Sequence, residues 1–242
     1  GPNGSGKTTT IKLLLGLIFP TSGSGEIFGY PLGSLDYKKH IGFVPEGPYF
    51  YDHLNAVELL RFYGSLFGMH GAELENRIEY LLKLVGMWDR RERKVLNYSR
   101  GMLQRIALAQ GLINDPDLLL ADEPTSGLDP IGAIQIRDVL IRLRDEGKTV
   151  FLCSHLLKEM EPLCDAVAIL NQGVVCQQGS MEELLTSKDG RYVAAFRGLD
   201  QAALHPLQSA VRRVHRNHHL VSNVVAVQHF GDFRAGNRLQ AG

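Results

Sequence analysis

The chain has 242 residues, 44% of them hydrophobic, and its 26 basic residues are balanced by 26 acidic ones. A chain of this length buries a substantial core, which excludes a largely disordered protein, and the neutral balance argues against nucleic acid or anionic lipid as a partner recruited by bulk charge. No apolar run approaches the roughly 18 residues of a membrane span, and the three cysteines lack CxxC spacing and fit a reducing compartment better than a disulfide scaffold.

The first predicted element is a helix. Ile11, Leu14, Leu15 and Ile18 recur at helical spacing, so the helix begins inside the Gly-rich opening stretch and is expected to end near Pro20. Lys7 and Lys12 before the apolar run Leu13 to Phe19 imitate a signal peptide, but a glycine loop followed by a helix accounts for the same residues. Asn55 and Glu58 have capping-box spacing ahead of Leu59, Leu60, Tyr63 and Phe67. Ile78, Leu81, Leu82 and Val85 form a second apolar stripe ended by Gly86, so residues 55 to 113 read as mostly helical.

The alphabet then changes. Leu118 to Ala121 and Thr149 to Cys153 are short apolar runs separated by a helical pattern from Ile131 to Arg144, which predicts strand, helix, strand with both sheet faces covered. Asp165 to Leu170 and Val174 to Gln178 flank Asn171-Gln172-Gly173 and read as a hairpin whose Asn and Gly supply the turn. Beyond about Gly190, Lys, Glu, Ile and Thr disappear while Arg and His accumulate. The run Arg213 to His219 suggests a metal or nucleic-acid site, but no acidic or Cys ligands accompany it, which favours a solvated polar segment.

Two segments carry phosphate chemistry. Gly1-Pro2-Asn3-Gly4-Ser5-Gly6-Lys7-Thr8 satisfies G-x-x-x-x-G-K-[ST] in full, with Thr9 following. Its glycines let backbone N–H groups turn toward phosphate oxygens, the helix adds the positive end of its dipole, Lys7 supplies a point charge and Thr8 a hydroxyl for Mg²⁺. Leu118-Leu119-Leu120-Ala121-Asp122-Glu123 is a buried strand ending in two acids at the edge where open α/β sheets bind ligands. Asp122 is the candidate Mg²⁺ ligand there, and Glu123 the candidate for polarising an attacking water.

With these in place the chain resembles the ABC ATPases, because further elements of that family follow in its order. Tyr98-Ser99-Arg100-Gly101-Met102 resembles the family's LSGGQ signature, Ser126-Gly127-Leu128-Asp129 its D-loop, and His155 its switch histidine. Glu46, in Val44-Pro45-Glu46, stands where the family usually has the Q-loop glutamine. The resemblance implies an α/β fold: a P-loop NTPase three-layer core with a helical signature subdomain, expected to be N-terminally truncated before the P-loop. It further implies an ATPase domain over residues 1–188, its helical subdomain at about 52–113, and a C-terminal appendage or poorly ordered tail over 189–242.

The resemblance also implies a mechanism. ATP and Mg²⁺ would sit between the loop of one copy and Ser99 and Gly101 of the other in a head-to-tail homodimer. Thr8, Asp122 and Glu46 would serve the metal, Glu123 and His155 the chemistry, and Asp129 the nucleotide contact. The expected partners are integral membrane permease subunits, the expected place the cytoplasmic face of the membrane, peripherally attached, and no nucleic acid is expected. Arg100 and Met102 in the signature, with Glu46 in the Q-loop, resemble the single-cassette ATPases of multidrug and other efflux pumps, so export is the expected direction. The alternative is a soluble ABC-class ATPase acting on nucleic acid or ribosomes.

Overall fold

The computed structural model describes residues 4–155, 162–180 and 224–227. Helix α1 (Lys7–Leu14) begins at Gly6, whose φ of 101° is open to glycine without strain. It ends earlier than its apolar spacing predicts. Gly16, at φ 64°, donates to the Leu13 carbonyl while Leu17 donates to Lys12, a Schellman stop that leaves Leu17, Ile18 and Phe19 outside the helix and exposed.

A small antiparallel pair follows, β1 (Glu26–Ile27) with β2 (Tyr30–Pro31), and then β3 (Ile41–Val44). Three helices occupy most of the next seventy or so residues, in keeping with the reading of 55–113 as mostly helical: α2 (Ala56–Leu66), α3 (Gly71–Leu84) and α4 (Arg100–Gly111). The capping box forms at α2, where Glu58 N donates to Asn55 Oδ1 at 2.9 Å and Asn55 N donates to Glu58 Oε2 at 2.8 Å. Gly86, at φ 66°, terminates α3 by the same motif as Gly16.

Strand β4 (Leu118–Asp122), helix α5 (Pro130–Asp145) and strand β5 (Thr149–Ser154) form the expected crossover, and β6 (Ala166–Asn171) turns back into β7 (Val174–Ser180). In that turn Gln172 and Gly173 take the positive φ values, 48° and 77°, while Asn171 closes the strand; the turn falls one residue later than predicted. Strand β8 (Val224–Val227) pairs antiparallel with both β5 and β6, giving the order β3-β4-β5-β8-β6-β7.

Alternation along the strands assigns the two faces. Leu118 and Leu120 of β4 with Phe151 and Cys153 of β5 pack on Ile11 and Leu14 of α1, together with Tyr37. Leu119, Ala121, Val150 and Leu152 face the other way, onto Ile106 and Leu108 of α4 and Ile136 and Leu140 of α5. The result is a three-layer α/β sandwich, with α2 and α3 extending the second core through Leu59, Leu60, Ile78, Leu81 and Leu82. Because β3, β4 and β5 are parallel and in register, their C-terminal ends share one edge of the sheet. Glu46, the Asp122-Glu123 pair and His155 all follow those ends.

Candidate functional site: a phosphate loop facing two acids and a histidine

The loop before α1 holds two glycines at positive φ. Gly4 and Gly6 have φ of 94° and 101°, and the Gly6 carbonyl accepts from both the backbone N and the hydroxyl of Thr10. A turn from the far hairpin braces it: Gly173 N donates to Ser5 O at 3.0 Å, and a methyl placed on Gly6 would lie 3.4 Å from Gly173 Cα. The buried Ser5 side chain offers an Oγ with no hydrogen-bond partner among the described residues. Gly1, Pro2 and Asn3 lie outside the described residues.

Gly4, Ser5, Gly6, Lys7, Thr8 and Thr9 line a cleft of about 560 Å³ together with Glu46, Glu123, Ser126 and His155. Four residue sets distant in sequence therefore meet here. Lys7 Nζ stands 3.4 Å from Glu123 Oε1, with the two side chains 9% and 8% exposed. Glu123 Oε2 accepts from the His155 backbone N at 3.3 Å and lies 2.8 Å from His155 Nδ1, which donates when that nitrogen carries the proton. Thr8 Oγ1 donates to Asp122 Oδ2 at 2.8 Å.

Glu123 occupies the left-handed region at φ 48°, uncommon for a residue with a Cβ. Its N–H still donates to Cys153 O, continuing the β4–β5 ladder one residue past the strand, and its carbonyl accepts from Ser126 N. The strain re-aims a side chain that would otherwise alternate into the sheet, and it falls at a functional position, as such outliers tend to. Cys153, buried beneath α1, has its thiol pushed well above the usual range by burial, and its Sγ approaches Lys7 O at 3.9 Å. It packs the floor of the site.

Burial raises the Asp122 carboxyl, and Glu123 and Glu46 add to this while the Thr8 hydrogen bond and Lys7 oppose it. Asp122 Oδ1 is buried with no hydrogen-bond partner among the described residues. A carboxylate oxygen left open beside a hydroxyl and near a second carboxylate suits Mg²⁺, which takes one or two protein carboxylates and completes its shell with water and phosphate oxygens. The residues present fit that ion: Thr8 and Asp122 would hold it, with Glu46 close by.

Ser99, Gly101 and Asp129 stand apart from the cleft. Ser99 caps α4, its Oγ accepting from Met102 N at 3.4 Å, and Gly101 sits in the first turn behind it. Asp129 caps α5, accepting from Gly132 N at 3.3 Å. Two contributors were not legible as site residues: Ser126 in the cleft wall and the Gln172-Gly173 turn against the loop. The first stands inside a motif read for its neighbour Asp129, and the second carries no signal beyond that of an ordinary hairpin.

The chain is similar over most of its length to known proteins. The family model described as ABC transporter matches residues 1–126, from the loop through both acids to Ser126. An uncharacterised ABC transporter ATP-binding protein of a Synechocystis species is 43% identical over 206 residues, 84% of this chain and 58% of that protein. The Nod factor export ATP-binding protein I of Cupriavidus metallidurans is 36% identical over 213 residues, 87% of this chain and 69% of that one. A solved ATP-binding cassette, a dimer in a post-hydrolysis state bound to ADP and Pi, superposes with a TM-score of 0.67 at 29% identity, covering 75% of this chain and 83% of its own. The chain thus spans about three fifths of the length of the Synechocystis relative. In motif order, fold and likeness together, this chain belongs to the ABC transporter family.

Proposed function

We propose that the chain is the ATP-binding and ATP-hydrolysing subunit of an ABC exporter, working with Mg²⁺ as a head-to-tail dimer. One observation carries the reading: the phosphate loop, Glu46, Glu123 and His155 converge on one cleft, while Ser99 and Gly101 stand outside it. A half-site of this kind is completed by a second copy, and the dimeric, ADP- and Pi-bound cassette to which the fold is similar supports that. Loop amides, Lys7 and the α1 N-terminus bind the triphosphate. When bound, Mg²⁺ neutralises charge on the transferred phosphoryl group. Glu123 accepts the proton of the attacking water, and His155, hydrogen-bonded to Glu123, fixes the direction of that carboxylate.

Export through separate membrane subunits, with the chain peripheral on the cytoplasmic face, is the transport role proposed. The Nod factor export protein's name supports the direction, as do Arg100, Met102 and Glu46. No helix among the described residues is long and apolar enough to cross a membrane. Phosphate release by the protein and its Glu123→Gln variant tests the catalytic core of the proposal. The variant is expected to lose about 10²–10⁴-fold in kcat; equal rates would remove Glu123 from the mechanism.

A further inference from the structure

Arg100 is the residue at which the signature segment departs most from a glycine-rich pattern, and its position is costly. It is the first residue of α4, where the positive end of the helix dipole disfavours a cation, and the first turn holds no acid to compensate. The exposed side chain folds over the segment that follows the two site acids. A methyl placed on Gly127 would lie 2.3 Å from both Arg100 Cζ and Nη1 and 2.7 Å from Nη2, so the guanidinium fills the space above that glycine. Gly127 is also at φ 68°, where any side chain is strained, and an added methyl would have to displace the guanidinium. The next residues touch as well: a methyl on Gly101 would meet Leu128 Cδ2 at 3.9 Å.

The segment under Arg100 is a short hydrogen-bonded relay. Ser126 N donates to Glu123 O at 3.0 Å, Leu128 N donates to Thr125 O at 3.3 Å, and Asp129 caps α5. Glu123 is thus tied to a turn whose apex is covered by the residue between Ser99 and Gly101. We infer that Arg100 is a positioning residue that clamps the 126–129 turn and so couples occupancy of the Ser99 and Gly101 side of the chain to the placement of Glu123 in the same chain. A planar guanidinium lying flat on a glycine does this through shape, and a lysine ammonium, a compact point charge, lacks that shape.

This inference rests on the hydrolytic, dimeric reading proposed above. The experiment is a double-mutant cycle with Arg100→Ala and Gly127→Ala, and Arg100→Lys beside it, read by steady-state ATP hydrolysis and by thermal unfolding of the same proteins. Arg100→Ala is expected to lower kcat about tenfold, with KM for ATP within about twofold and a Hill coefficient for ATP moving toward 1, because a misplaced group costs rate rather than ground-state binding. Gly127→Ala should cost less in the Arg100→Ala background than in wild type in both readouts, since the clash has gone. Arg100→Lys should behave like Arg100→Ala.

Full rescue by lysine, or a rise in KM with kcat unchanged, would mean that Arg100 serves as a charge on the nucleotide, and would overturn the inference. Additive effects in thermal unfolding would overturn it too, whether or not the protein turns over. A wild-type protein with no hydrolysis at all would count against the functional proposal, while the unfolding cycle would still decide the contact.

Discussion

Replacing Glu123 by Gln has an effect beyond the loss of turnover. The cation meant for phosphate is held by the acid meant for water: Lys7 and Glu123 are 3.4 Å apart and both nearly buried. At an effective dielectric of 20 their attraction is about 5 kcal/mol, and the several kcal/mol lost in desolvating each ion offset most of it, leaving a net on the order of 1–2 kcal/mol. A triphosphate must displace that pair to gain Lys7. Glutamine keeps an acceptor for His155 but removes the charge, so the variant is expected to bind a non-hydrolysable MgATP analogue roughly 5- to 30-fold more tightly. Isothermal titration of both proteins measures it, and a Lys7→Met background separates release of Lys7 from relief of repulsion between Glu123 and phosphate. Equal or weaker binding by Glu123→Gln, or an undiminished gain when Lys7 is absent, would refute the ion pair as a barrier to nucleotide.

Other outcomes follow from the geometry. Asn55→Ala removes the side-chain half of the α2 capping box and should cost about 1 kcal/mol by chemical denaturation. Glu58 closes the box from the other side, and its carboxyl is held below the usual range first by the Asn55 backbone N–H and then by Lys94. A depressed folded-state value means that its contribution is present above the unfolded value of 4.5 and fades as pH falls through the folded one. The difference in stability between the protein and Glu58→Gln should therefore be seen at pH 7 and shrink as pH falls below 4.5, as urea titrations at several pH values would show. His155→Ala should lower kcat about 10²-fold with little change in nucleotide affinity, because its bond is to Glu123.

Where one element's own residues determine its form, the sequence was easily read. The capping box of Asn55 and Glu58, the α3 stop at Gly86 and the two-sided burial of Leu118 to Asp122 all follow from local spacing, and each appears as expected. Gly16 carries a stop as strong as Gly86, but the apolar Leu17, Ile18 and Phe19 beyond it extend the helical periodicity and mask it. Strand β3 carries little local signal because Ile41-Gly42-Phe43-Val44 is short and holds a glycine, a residue that weakens strands. In the site, the motifs identified the residues but not their partners. That Lys7 holds Glu123, that Thr8 holds Asp122 and that Gly173 props the loop are properties of the folded sheet edge, where residues far apart in sequence become neighbours.

The glycine that weakens the strand signal in β3 is also what lets α4 sit where it does. A methyl on Gly42 would lie 1.8 Å from the carbonyl oxygen of Gly111 and 2.9 Å from Pro116 Cγ, and a methyl on Gly111 would lie 2.9 Å from Phe43 O. The C-terminal turn of α4 therefore rests directly on β3, glycine against glycine, and the helix runs from that contact to Ser99 at its other end, about 18 Å away at 1.5 Å per residue. Backbone cannot yield as a side-chain end can, so Gly42→Ala must push the helix off the strand by more than 1 Å. Overpacking of this kind costs about 1–3 kcal/mol or more, which for a chain of this size lowers Tm by roughly 3–10 °C. Gly68→Ala is the control: its site has open space around the added carbon and a φ of 77°, so it should cost only the backbone strain, about 1–2 kcal/mol. Because the contact is the pivot of a lever that ends at Ser99, Gly42→Ala should also reduce hydrolysis well below its folded fraction, measured at a temperature where both variants are fully folded. A Gly42→Ala protein as stable and as active as the unsubstituted one would mean that α4 is placed by its side-chain packing and not by this backbone contact.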